Sequence, residues 1–230
     1  MNTANLEQAQ LEAERAGLTL LNDEQGLALT DGFMTIRGDF IRQAKRLRQG
    51  ALQREMLVKA ARVKGIDSPL AVDATAGLGD DSLLLAAAGF RVMLFERNPV
   101  IAVLLRDTIE RAAQHPDFAD ITARMQLVEG NSIDALPRLD MQPDVVLLDP
   151  MFPTKHGDAR AKKKLQLIQR LEQPCEDEES LLDAAFAAHP RKIVVKRPLK
   201  GPQLADRTPS YSLKGKTVRY DCYAIAPASQ

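Results

Sequence analysis

A chain of 230 residues, 45% hydrophobic and 27% charged, holds enough apolar material for one large domain or one domain with a modest extension. Its 31 basic and 31 acidic residues cancel, which excludes indiscriminate polyanion binding driven by bulk charge. No apolar stretch approaches the roughly 20 residues of a bilayer span, and Cys175 and Cys222 form neither a CxxC pair nor a disulfide framework. The N-terminal MNTANLEQAQLEAER lacks the basic-then-apolar layout of a signal peptide. A cytoplasmic protein with no membrane association is expected.

In chain order, residues 1–25 read as a polar helix. GLALTDGFMTIRGDF then alternates about Asp31 and Gly32, the pattern of a β-hairpin. IRQAKRLRQGALQREMLVKAARVKG reads as a basic helix ending at Gly65, with a break at Gly50. Between Arg37 and Lys64 nine basic residues oppose only Asp39 and Glu55, a local charge of +7. Lys155–Arg170 and Arg191–Arg219 are also basic, while EQPCEDEES collects acids. Separated signs of this kind suit either solvated helix faces or a polyanion-facing side, and three basic runs that each adjoin a motif favour the latter.

From Pro69 the pattern becomes strand, loop, helix, repeated. LAVDAT, RVMLFE, RMQLVE, DVVLLD and KIVVK read as strands, and GDDSLLLAAAG and NPVIAVLLRDTIERAAQ as helices, the second with Pro99 in its first turn. Helical material is expected within Asp158–His189. Strands apolar throughout and alternating with helices imply a parallel sheet covered on both faces. YSLKGKTVRYDCYAIA alternates about Lys214-Gly215-Lys216 and reads as a closing antiparallel hairpin. The expected architecture is α/β, a doubly wound, mostly parallel sheet ending in a hairpin. An N-terminal extension would occupy residues 1–65 and the main domain 66–230.

VDATAGLGDD places Gly77 and Gly79 at the turn leaving the first strand of this unit, where backbone can approach a ligand closely. Glu96 ends the next strand, where an acid can accept both hydroxyls of a ribose. A nicotinamide dinucleotide and S-adenosylmethionine both fit so far. Asp73 favours the latter, because a carboxylate there can hold an ammonium and would repel a pyrophosphate. Asp80 and Asp81 at the helix start add to this preference, although acids there are also ordinary caps. Asn131 and Ser132, after the third strand, suit adenine contact or an N-cap.

DVVLLDPMFP ends the fourth strand in Asp149, Pro150 and, two residues on, Phe152. An exocyclic amine on a base is a poor nucleophile because its lone pair is delocalised into the ring. A carboxylate and the neighbouring Pro150 carbonyl, both accepting its N–H groups, can orient it for in-line attack on a methyl carbon. Phe152 can stack on a base swung out of its helix. No cysteine stands at this corner, against cytosine-C5 chemistry, and His115, His156 and His189 are isolated, so no metal is expected. Lys155, Lys196 and Arg197 are expected at the cleft edge as phosphate contacts.

Together VDATAGLG, ERNPV, LDPMFP and VVKRP resemble the ribosomal RNA small subunit methyltransferase J family, from about Gly32 to the C-terminus. The resemblance implies a class I, Rossmann-like, seven-stranded S-adenosylmethionine-dependent methyltransferase acting on a guanine N2 of 16S ribosomal RNA. It implies cofactor contacts at Asp80, Asp81, Glu96, Arg97, Asn131, Ser132 and Asp149, and the small ribosomal subunit or its RNA as partner, with no obligate protein partner. The family usually has Arg-Asp where this chain has Asp80-Asp81. An adenine-N6 methyltransferase, a non-catalytic RNA-binding module and a nicotinamide oxidoreductase are the competing readings of the residues alone.

Overall fold

The computed structural model describes residues 3–150, 167–171 and 177–225. Helix α1 (Thr3–Arg15) leads into a three-stranded antiparallel sheet of β1 (Thr19–Asp23), β2 (Gly26–Thr30) and β3 (Thr35–Ile36). The hairpin about Asp31 and Gly32 is present as β2–β3. Strand β1 falls within residues read as helix, because its side chains are mostly exposed and leave no alternation to read. It is held by a tight turn in which the Gln25 N–H donates to Asp23 Oδ1 (2.8 Å) and Gly26 takes a positive φ of 99°.

The basic segment is not one helix. It folds as a 3-10 turn (Ile41–Gln43) and three short helices, α2 (Ala44–Leu47), α3 (Gln49–Leu52) and α4 (Met56–Ala61). Arg48 and Glu55 sit between them with extended ψ angles of 137° and 129°. The two breaks let Leu52, Leu57 and Val58 all turn onto the core, which a straight rod could not do. Arg46 clamps the bend, with Nε and Nη2 donating to the two Glu55 oxygens at 2.9 and 3.0 Å.

The main sheet begins with β4 (Leu70–Asp73), followed by α5 (Asp80–Ala87), β5 (Arg91–Glu96), α6 (Pro99–Ala113), α7 (Pro116–Thr122), β6 (Met125–Glu129), α8 (Ser132–Ala135) and β7 (Val145–Leu148). Residues 167–171 are helical; α9 (Glu178–Ala187), β8 (Lys192–Pro198), β9 (Tyr211–Lys214) and β10 (Val218–Ala224) complete the fold. Strand order is β6-β5-β4-β7-β8-β10-β9, parallel from β6 to β8, with β10 antiparallel to both neighbours. The closing hairpin is as expected, and it turns at Gly215, whose N–H donates to Val218 O (2.8 Å).

Alternation explains the apolar strands. Val145 and Leu147 enter one core layer and Val146 and Leu148 the other, and all four are fully buried. Each such side chain contributes about 1.5–3 kcal/mol of burial. Helix α6 starts under control of Asn98, whose side chain accepts from the Val100 and Ile101 N–H groups, with Pro99 at the first position. Its outer face receives α1, where the small Ala9 and Ala13 allow close approach to Val100, Val103 and Leu104. Among the described residues, no helix is long and apolar enough to cross a membrane.

The order of connections decides where a ligand can sit. The chain lays β5 and β6 to one side of β4, then crosses back to lay β7 and β8 on the other. Loops leaving β4 and β7 therefore diverge at the carboxyl ends of the strands and open a crevice there.

Candidate active site

The crevice is a cavity of about 360 Å³. The loop after β4 forms one wall, fixed by hydrogen bonds from Ala74 N–H to Leu147 O (3.0 Å) and from Ala76 N–H to Phe95 O (3.1 Å). Gly77 (φ +55°) lines the cavity, and a Cβ there would meet nothing within 4 Å, so the backbone faces open space. Its N–H donates to Glu96 Oε2 at 3.0 Å, while Glu96 Oε1 accepts from the Asn98 N–H at 2.7 Å. Gly79 has a different reason: a Cβ would lie 2.6 Å from Leu105 Cδ1 and 3.0 Å from Phe40 Cζ. It serves packing behind the loop.

Asp73 is 2% exposed, and accepts from Ser82 Oγ (2.5 Å) and the Thr75 N–H (3.1 Å). Burial pushes its carboxyl up to about 7 from 3.8, with these hydrogen bonds only partly offsetting that cost and the nearby Asp81 adding to it. A carboxylate so placed at a cavity wall is stabilised by an incoming cation.

Across the crevice, Lys196 Nζ bridges Asp81 Oδ2 at 2.6 Å and Asp149 Oδ2 at 2.8 Å. Burial works to lower the lysine, but Asp149 and then Asp81 outweigh it and hold the ammonium above its usual range. For Asp149 burial dominates and raises the carboxyl, with Lys196 pulling the other way. Its side chain nevertheless keeps 38% of its surface open, so cavity water tempers that rise. The Asp149 N–H donates to Thr75 Oγ1 (2.7 Å), tying the ends of β4 and β7 together.

The fold thus brings Asp73, Gly77, Asp80, Asp81, Glu96, Arg97, Asn131, Ser132, Asp149, Pro150 and Lys196 to one cavity. Asn131 also caps α8, its Oδ1 accepting from the Ile133 N–H (3.1 Å), so both of its expected uses are compatible. Asp80 accepts a hydrogen bond from Gln43 Nε2. Phe152 and Lys155 lie outside the described residues.

One expectation is corrected. Arg197 does not open onto the cleft edge: it is 1% exposed, donating from Nε to Pro202 O (2.8 Å) and from Nη1 to Glu178 Oε1 (3.3 Å). Adjacent strand residues point to opposite faces, so the Lys196-Arg197 pair could not share one cleft. Lys196 does reach the crevice, but its ammonium is engaged by two carboxylates. Thr75, Phe95, Ile133 and Leu181 line the cavity as well and were not singled out from the sequence. Only Thr75 carried a signal, as a polar residue just past a strand's carboxyl end.

Known proteins agree with this geometry. Residues 2–225 match the family model described as "Putative SAM-dependent methyltransferase". Ribosomal RNA small subunit methyltransferase J of Thioalkalivibrio sulfidiphilus is 43% identical over 223 residues, covering 93% of this chain and 88% of that protein. The Pseudomonas aeruginosa protein of the same name is 42% identical over 234 residues, covering 94% and 90%. The chain belongs to the ribosomal RNA small subunit methyltransferase J family. A crystal structure of a SAM-dependent methyltransferase from Neisseria gonorrhoeae, 34% identical, superposes with a TM-score of 0.73 over 93% of this chain and 85% of the other.

Members of this methyltransferase J family use S-adenosylmethionine, and the residues present fit it. The exposed Gly77 backbone leaves room for a close ligand, Asp73 is a buried acid suited to an ammonium, and Phe95 and Ile133 supply apolar lining. Among the described residues no group of three or more His, Cys, Asp or Glu side chains could hold a metal ion.

Proposed function

We propose that this methyltransferase modifies the exocyclic N2 amine of a guanine in 16S ribosomal RNA, within the small subunit or its RNA. The names of the relatives support an RNA substrate of that subunit. The observation that carries the chemistry is Asp149, a partly open carboxylate at the end of β7, backed by Lys196 and followed at once by Pro150.

When bound, S-adenosylmethionine supplies an electrophilic methyl group. Asp73 would hold its ammonium, Glu96 and Arg97 its ribose end, and Asn131 and Ser132 its adenine, with Asp80 and Asp81 at the start of α5. Asp149 accepts one N–H of the amine and the Pro150 carbonyl the other, aiming the nitrogen lone pair across the crevice. As the nitrogen takes the methyl, the methyl's bond to sulfur would break to leave neutral S-adenosylhomocysteine, and the proton the nitrogen sheds would pass to Asp149. A carboxylate raised by burial is the better base for this, and Lys196 limits that rise.

The test is methyl transfer from labelled cofactor to unmodified small subunits, followed by nucleoside analysis. N2-methylguanosine is expected. N6-methyladenosine without N2-methylguanosine would overturn the choice of base, and no transfer to any RNA would overturn the enzymatic reading.

A further inference from the structure

A second cavity, about 590 Å³, lies between the short helices and the β9–β10 turn. It shares Asp80, Asp81 and Lys196 with the first, so the two cavities meet at the ion bridge. Arg46, Arg54 and Glu55 line it from the short helices, and Lys216 from the hairpin turn. The turn is close to the helices, since a Cβ on Gly215 would stand 3.9 Å from Met56 Cγ.

Charge pairing separates these residues. Arg46 is committed to Glu55, and Lys196 to Asp81 and Asp149. Arg54 and Lys216 are exposed and form no ion pair among the described residues. Lys45 and Arg48 on the same short-helix segment, and Lys214 at the end of β9, are also exposed. Met56, Val218 and Tyr220 add apolar lining, against which an unstacked base can lie.

We infer that this second cavity is the entry for the RNA, with Arg54 and Lys216 gripping backbone phosphates beside the target nucleotide while its base reaches Asp149 past Lys196. The inference rests on the RNA-methyltransferase reading. It follows from placement: the first cavity has the features of a nucleoside cofactor site, and the second is the neighbouring space that combines free cations with access to the Asp149 partner. Phosphate contacts set position and not sequence, which suits cations on a rim. The role expected of Arg197 falls instead to residues from two distant chain segments.

The test compares wild type, the double variant Arg54→Ala/Lys216→Ala, and Arg91→Ala as a control. Arg91 is exposed and starts β5, at the end of the sheet away from the crevice. Transfer to unmodified small subunits is measured across a salt series, with S-adenosylhomocysteine binding followed by calorimetry. The double variant should raise KM for the subunit roughly 10- to 100-fold and flatten the slope of log affinity against log salt by about 2. Calorimetric affinity and melting temperature should stay put, and the control should match wild type. Restoring charge with Arg54→Lys and Lys216→Arg should recover the slope. An active wild type with a double variant of unchanged KM and salt slope overturns this inference alone. A wild type that methylates no RNA overturns the parent reading and this one with it.

Discussion

The two sides of the crevice satisfy their acids by different means. On the β4–β5 side, Glu96 is held by the Gly77 and Asn98 N–H groups and Asp73 by the Thr75 N–H and Ser82. On the β7–β8 side, Asp149 is held by a full charge, Lys196, which also reaches Asp81 at the start of α5. Backbone dipoles are fixed in direction and cannot titrate, so they suit a wall that recognises one constant ligand. An ammonium shared between two carboxylates can rebalance as charge moves, which suits the wall where a bond is made.

Breaking the second wall should therefore damage rate, and breaking the first should damage binding. The largest effect is expected for Asp149→Ala, which removes the amine acceptor and should lower single-turnover rate by about 10²–10⁴-fold. Affinity for S-adenosylhomocysteine by calorimetry should change by less than threefold, about the thermal energy scale. A variant with normal turnover at saturation and poor cofactor binding would reverse the assignment of the two walls.

Lys196→Met should come next, with a fall of about 10–100-fold in kcat at neutral pH. The lysine depresses Asp149 against the rise caused by burial, and Asp81 raises it further. Without the ammonium the Asp149 carboxyl moves higher, so the acid limb of the pH–rate profile should shift towards alkaline pH. Activity should partly return as pH rises, and Lys196→Arg should restore the original limb. An unshifted profile in the methionine variant would show that Lys196 does not tune the acid.

The same contrast explains what the sequence disclosed. Strand ends and glycines were legible because the fold fixes them locally: Asp73, Glu96 and Asp149 each close an apolar run, and Gly77 follows one. The hairpin about Gly215 was legible for the same reason. The Asp81–Lys196–Asp149 bridge was not, since it joins residues 115 and 47 positions apart through the crossing of the chain. Arg197 shows the opposite failure. It looked like an exposed cation, yet with Arg219 it fastens the turn after β8, Arg219 Nη1 donating to Pro198 O and Gly201 O at 2.8 Å. The break expected at Gly50 falls instead at Arg48 and Glu55, because the breaks arise from packing Leu52 and Leu57 against the core, with no Pro at either bend.

On the other wall, Glu96→Ala should weaken S-adenosylhomocysteine roughly tenfold or more, the loss of a charged hydrogen-bond acceptor. Turnover at saturating cofactor should remain within a few-fold of wild type. Because Glu96 also anchors the Gly77 N–H, Glu96→Gln should recover part of the affinity by keeping one acceptor oxygen. Unchanged affinity in both variants would remove Glu96 from the site.

Asp73 should give the smallest effect and the most diagnostic one. Its carboxyl titrates near 7 in the folded protein and near 3.8 unfolded, so the folded form binds the proton more tightly. Between these values folding takes up a proton, and the contribution of Asp73 to stability falls as pH rises. Asp73→Asn removes that titration, so the variant should gain melting temperature relative to wild type from pH 5 to pH 8, by roughly 2–4 °C at the upper end, about 1 kcal/mol. Saturating S-adenosylhomocysteine should erase the advantage, because its ammonium compensates the wild-type carboxylate and has no charged partner in the variant. A stability difference independent of pH would mean that Asp73 is already ionised at little cost, and a ligand that stabilises both proteins equally would mean that no cation reaches this acid.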